Sequence, residues 1–189
     1  IPAEDLRSLG LSPRGDLVTA ARLAVRVGPK EVKTFQIPSD KPGFPEPLER
    51  ITAAALTRSS FLVADEKKKR VFRFDLQLQA QGTFPDAKER EIVRILLDGE
   101  GAVVLLDREA RAAQVYDESG KLLRTIGPRG AGFELKRPVD IAVDPFRNTY
   151  IADEEGGVYV FSAQGQLLTA PRPRGPGAPD RCSLGRRAR

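Results

Sequence analysis

Three aspartates are the side chains best placed by spacing to do chemistry. Asp65, Asp107 and Asp153 recur 42 and then 46 residues apart, each at the end of a short apolar run. Carboxylates at repeated positions have three uses. They ligate a hard cation, they act as general acid or base, or they accept backbone N–H groups at a turn. A Ca²⁺ site needs several oxygens converging on one point. Aspartates on separate repeats converge only near a common axis, and these end the second strand of each repeat. The turn role is therefore expected, and no metal, cofactor or catalytic residue is. The chain has no His, which excludes a metal site or proton relay built on imidazole. Its one cysteine, Cys182, allows no intrachain disulfide and leaves the compartment open, cell envelope, periplasm or cytoplasm alike.

Two further groups are candidates for ligand binding. Lys67-Lys68-Lys69-Arg70 fills the turn after Asp65, as a solvated tip or as a contact for an anionic partner. Glu109, Glu154 and Glu155 fall in the matching turns of the later repeats, so that face is mixed in sign. Arg94 interrupts an apolar first strand, and Asp140 takes the same place one repeat later. Charges on an innermost strand are costly unless paired. They either pair with each other across neighbouring repeats or face a ligand in a central channel. The run Gly127-Pro-Arg-Gly130-Ala-Gly132 superficially suggests a phosphate loop. It lacks the following helix and the Lys-Ser/Thr ending, and it reads as a linker.

These residues sit in a repeated frame. Residues 92–123 correspond to residues 138–169, with Asp98 on Asp144, Asp107 on Asp153, Tyr116 on Phe161 and Gly120 on Gly165, read as one ungapped offset of 46. A period of this length is one supersecondary unit that must stack on its neighbours. The last unit reads as four strands, Pro138–Asp144, Thr149–Asp153, Val158–Ser162 and Leu167–Ala170, separated by turn formers. Residues 48–80 and 90–124 follow the same plan, with Phe74 matching Tyr116. Residues 5–37 form a degenerate version, with a turn at Pro13–Asp16, a second strand at Leu17–Ala20 and a third at Glu31–Ile37. Linkers rich in Pro and Gly each carry a phenylalanine, Phe44, Phe84 or Phe133, expected to plug the gap between adjacent units. Four-stranded units packed face to face around an axis make a β-propeller.

The segment Gly127-x-x-Gly130-x-Gly132-Phe133, then Arg137-Pro138, DIAVDPFRNTYIAD and VYVFSAQGQLL, resembles the NHL repeat. The resemblance runs from Leu48 to Thr169. It implies an all-β, NHL-like propeller or partial propeller of about four four-stranded antiparallel blades, where a ring of that family closes with about six. Two features depart from the pattern: Glu91-Ile92 replaces the proline before the first strand of one unit, and Ala20-Ala21 replaces the Ala-Asp ending of another. The resemblance implies a non-catalytic platform for another protein or an extended ligand. A fragment of a propeller enzyme whose catalytic residues lie on further blades, and an RNA-binding propeller, are the alternatives. A chain with too few blades is expected to self-associate. No apolar run approaches the length of a membrane span. A chain that begins at Ile1 and contains no Met is expected to be a processed or trimmed product.

Residues 171–189 hold six arginines and one acid, Asp180, while residues 1–170 balance to zero. With four prolines, three glycines and few large apolar side chains, this tail is expected to be disordered. The body lacks the bulk positive charge that drives phosphate binding. Any affinity for RNA should therefore vanish when the chain is cut after Ala170, measured by fluorescence anisotropy at about 0.15 M salt. Tight binding retained by residues 1–170 and lost on neutralising Lys67, Lys68 and Lys69 would put RNA recognition first.

Overall fold

The computed structural model describes residues 6–11, 17–21, 24–27, 48–77, 79–85 and 89–171. Within them the chain is strands and turns, with no helix. The first sheet has three strands, β1 (Leu6–Leu11), β2 (Leu17–Ala21) and β3 (Ala24–Val27), in that order. The second is a four-stranded antiparallel meander of β4 (Ile51–Leu56), β5 (Ser60–Asp65), β6 (Arg70–Asp75) and β7 (Ala80–Thr83). The third repeats it with β8 (Ile92–Leu97), β9 (Val103–Asp107), β10 (Ala112–Tyr116) and β11 (Leu122–Ile126). A short ladder of β12 (Arg129–Gly130) on β13 (Phe133–Glu134) then leads to the fourth sheet. That sheet contains β14 (Pro138–Val143), β15 (Thr149–Asp153), β16 (Gly157–Phe161) and β17 (Leu167–Thr169).

The three four-stranded sheets over residues 48–170 match the sequence reading, with local corrections. Ala24–Val27 is a strand that the sequence reading left out, and the strand expected at Glu31–Ile37 lies outside the described residues. The outer strand of the second sheet runs to Thr83, past the expected boundary at residue 80. The ungapped frame fails after Asp153. The turn between β9 and β10 spans residues 108–111, but that between β15 and β16 spans only 154–156, so Tyr116 and Phe161 stand 45 apart. A turn can lose a residue without moving either flanking strand. Phe44 and the tail beyond Pro171 lie outside the described residues.

First strands stack in chain order, β1 against β4, β4 against β8, β8 against β14, and so line an axis. Two apolar layers fill the gaps between the three four-stranded sheets, and a third, with Ile51, Phe61, Val63 and Phe74, lies on the other face of the second sheet. Ala53, Leu62 and Val71 of the second sheet meet Ile92, Ile95 and Leu105 of the third. Val104, Leu106 and Val115 of the third meet Ile141, Ile151 and Phe161 of the fourth. A strand covered on both faces needs no alternation, and β5 and β9 are buried at every residue. Phe84 plugs the first gap as expected, its ring edge-on to Tyr116 at 5.8 Å between centroids. In the second gap Phe133 is only half-buried, and Leu135 is the fully buried plug. Phe133 instead folds over Gly130, where an added Cβ would sit 2.5 Å from the ring. In the innermost and second strands of this pair of sheets Ile141 and Ile151 are buried, while Leu96 and Val143, and Val160 on the third strand, are half-buried and Ala142 is exposed.

The repeated aspartates do more than close their own turns. Asp153 Oδ1 accepts the N–H groups of Glu155 and Gly156, and Oδ2 those of Lys136 and Arg137, each at 2.8 Å. Asp65 does the same for Lys67 and Lys68 on one oxygen and for Glu49 and Arg50 on the other. Asp107 accepts the N–H of Ala110. Each of the three is buried and lies opposite the first residue of its sheet's innermost strand, Ile51, Ile92 or Pro138. The next residue of that strand, Thr52, Val93 or Val139, is a bulge. In the second and fourth sheets the carboxylate thus clamps the hairpin turn to the incoming linker.

Removing such a carboxylate strands several backbone donors. Asp153→Ala should lower stability by about 3 kcal/mol, read from the urea midpoint. Asp117→Ala, in an exposed turn where water can replace the lost acceptor, should cost clearly less. Equal losses for the two would show that burial of the clamp does not set its strength.

Candidate functional site

The stack has two ends. One carries the linkers and the turns after Asp65, Asp107 and Asp153. Here Lys67 and Lys69 are exposed and Lys68 and Arg70 half-buried. The Lys68 ammonium lies 2.7 Å from Glu49, and Lys69 lies 3.5 Å from Glu109 of the next sheet. A charge pair also joins each linker to its turn: Arg50 to Glu66, Glu91 to Arg108 with the signs reversed, and Arg137 to Glu154. The basic turn is therefore embedded among acids.

Arg94 and Asp140 lie near the same end, opposite Leu106 and Ala152, one rung from the clamping aspartates. Arg94 Nε donates to Asp140 Oδ1 at 2.8 Å, so the two charges of the innermost strands pair across adjacent sheets. Thr52 donates to the Ile92 carbonyl at 2.9 Å and ties the preceding pair of strands.

The opposite end is built from the other hairpin turns, and a cavity of about 230 Å³ opens there. Its walls include Arg58, Glu100, Asp117, Glu118 and Arg147, with Leu97 and Leu123 as apolar surface. Side-chain oxygens fix each of these turns. Asp98 Oδ1 accepts the N–H groups of Glu100 and Ala102, and Asp117 Oδ1 those of Ser119 and Lys121. Asp144 accepts both the backbone and the side-chain N–H of Asn148. Thr57 and Ser162 play the same part with hydroxyls.

Two bridges join the turns into one surface. Arg147, at φ 65°, reaches from the fourth sheet to buried Asp98 at 3.3 Å and to Glu100 at 2.9 Å on the third. Glu118 Oε1 accepts the Arg58 N–H and the Ser59 hydroxyl, each at 3.1 Å, and its carbonyl accepts from Arg73 at 2.6 Å.

Electrostatics follow from these contacts. The Ser119 hydroxyl, with the Lys121 N–H, holds the Asp117 carboxyl below the usual carboxylate range. Desolvation raises Asp144, but donors from Asn148, Tyr150 and Phe146 outweigh it and leave it low. The same contact raises the Tyr150 hydroxyl. Burial lowers Arg124, Arg147 adds repulsion, and Asp98 and Glu100 oppose both.

The structure thus brings Arg94 and Asp140 together and places Lys67–Arg70 on the same end. Sequence reading missed the cavity at the other end. Its only signal was the opposite charge of Glu100 and Arg147 in equivalent turns of successive repeats. Because Arg94 and Asp140 are a third and more than half exposed, their coupling in a double-mutant cycle should stay below about 1 kcal/mol and fall with salt. Coupling above about 2 kcal/mol in Arg94→Ala, Asp140→Ala and the double variant would make the pair a fold determinant rather than a surface one.

No family model matches the sequence, and no curated protein is significantly similar to it. Solved structures do match the fold. Streptogramin B lyase superposes with a TM-score of 0.65 at 15% identity, over 92% of this chain and 57% of that one. Virginiamycin B lyase of Staphylococcus aureus gives 0.64 at 15% identity, over 89% and 56%. The hydrazine synthase of Kuenenia stuttgartiensis gives 0.62 at 14% identity, over 90% and 50%. The chain spans about half the length of these structures. At such identity the likeness extends to the fold alone, and that fold is β-propeller-like.

Proposed function

We propose that the chain is a non-catalytic binding platform of NHL-like blades. Its rigid turn surface takes an extended segment of another protein. The observation that carries this reading is the division of labour among its polar groups. Asp65, Asp107, Asp153, Asp98, Asp117 and Asp144 are committed to backbone N–H donors within the fold. The cavity walls combine Arg58 and Arg147 with Glu100 and Glu118 around the exposed Leu123. Fixed charges of both signs around an apolar contact suit a peptide that offers an apolar anchor flanked by complementary charges.

The second reading is a part of a propeller enzyme. It rests on the lyase and synthase names of the structural neighbours and on the half-length match. Fold likeness alone transfers no activity. RNA recognition ranks third, because Lys68 and Lys69 already face glutamates.

A displayed peptide library selected on the full chain should yield binders in the micromolar range, about −8 kcal/mol. Their affinity should fall at least tenfold, about 1.4 kcal/mol, in Leu123→Asp and in Arg58→Glu. Binders indifferent to both substitutions would move the interface away from the cavity. A selection that returns nothing would leave the enzyme-part reading ahead.

A further inference from the structure

The turn between β14 and β15 points a phenylalanine out to solvent. Phe146 is 82% exposed, the most exposed large apolar side chain among the described residues. A lone exposed apolar residue is ordinary, but this one is held still. Asp144 accepts the backbone and side-chain N–H groups of Asn148 and the Tyr150 hydroxyl. The Arg147 N–H bonds back to the Asp144 carbonyl, and its guanidinium reaches Asp98 and Glu100 on the third sheet. Pro145 fixes a backbone angle just before the tip. An aromatic side chain on a rigid tip loses little freedom when a partner covers it, which is what an anchor requires.

The strand register shows what stands at the same place in the neighbouring sheets. Phe146 is the middle residue of the turn between Val143 and Thr149. Glu100 is the middle residue of the turn between Leu97 and Val103 in the third sheet. The shorter turn between Leu56 and Phe61 in the second sheet has Arg58 near its centre. Successive tips thus read cation, anion, apolar ring. The anion is satisfied within the fold, since Glu100 holds Arg147 at 2.9 Å. Arg58 receives Glu118 on its backbone N–H, and its guanidinium makes no ion pair among the described residues. Leu97 and Leu123 line the cavity that Arg58 and Arg147 share.

We propose that an extended peptide segment crosses these tips from the second sheet to the fourth, setting a carboxylate on Arg58 and a large apolar side chain on Phe146. This rests on the peptide-platform reading above and adds an order to it, with charge at one end of the track and apolar contact at the other. Two steps between sheets packed about 10 Å apart span about 20 Å, which an extended chain covers in about six residues. Residues six apart share one face of a strand, so a segment with no turn in it makes both contacts. A residue between them on the same face meets Leu123. Arg58 supplies the attraction that fixes which end of the segment lies where, because it is the tip cation with no acid of its own.

A random displayed peptide library selected on the full chain should enrich peptides that carry an acid about six positions from a leucine or an aromatic residue. On Arg58→Glu the same library should exchange the acid for a base and keep the apolar residue. On Phe146→Asp it should keep the acid and lose the apolar residue. A peptide selected on the unmodified chain should lose at least tenfold in affinity on Arg58→Glu and regain it when its own acid is changed to Lys, a rescue that a merely structural role of Arg58 would not give. Phe146→Ala reads the second contact if the aspartate variant fails to fold. Peptides that bind the cavity without this pairing, or whose composition is unchanged on both variants, would overturn this inference and leave the platform reading standing. A selection that enriches nothing would overturn both.

Discussion

Everything in this fold hangs on a buried carboxylate that has no ionic partner to satisfy it. At the end of the second strand of the second, third and fourth sheets, an aspartate gives one oxygen to the turn it begins and, in the second and fourth sheets, the other to the linker arriving from the preceding sheet. Burying a charge is tolerable only when several donors replace its water. Backbone N–H groups of turns need an acceptor just as badly. One side chain meets both needs, and in doing so fixes where the next innermost strand begins. The bulge at the residue after the clamp follows from the same geometry, as a strand adjusts its register to a pinned starting point.

From that pin the rest follows in order. Fixed first strands align along an axis, and the sheets stack at a spacing set by apolar side chains on both faces. Stacking separates the turns into two ends. At one end, linkers and turns exchange charge pairs sheet by sheet, and the signs can reverse between repeats because only the pairing matters. These pairs are exposed and individually weak. At the other end, Arg147 and Glu118 span neighbouring turns and shape a cavity. A rigid scaffold that presents charged tips held in place by their neighbours is the arrangement from which binding surfaces are made.

Much of the fold was legible in the chain because its signals are local. Alternating short apolar runs and turn formers give strands, and recurrence of Asp107 as Asp153 gives the unit that stacks. What misled the reading was also local. The loss of one turn residue between the third and fourth sheets is invisible to an ungapped comparison, since it moves no strand. The candidate site was less legible. Arg94 and Asp140 could be singled out because charge is anomalous on an innermost strand, and they do meet. Arg58, Glu100, Glu118 and Arg147 looked like ordinary turn residues. Glu118 and Arg58 are 60 residues apart, and no local pattern joins them.

By itself, the sequence determined the all-β class, the repeat, the turn role of the aspartates and the absence of imidazole chemistry, because residue type and spacing act within a few neighbours. Only the tertiary structure decided which apolar strands are covered on two faces and which on one. β9 and β15 read alike in the chain, yet one is buried throughout and the other opens alternate residues to solvent. That difference depends on how many sheets stack on either side, which is a property of the assembly and is written in no single repeat.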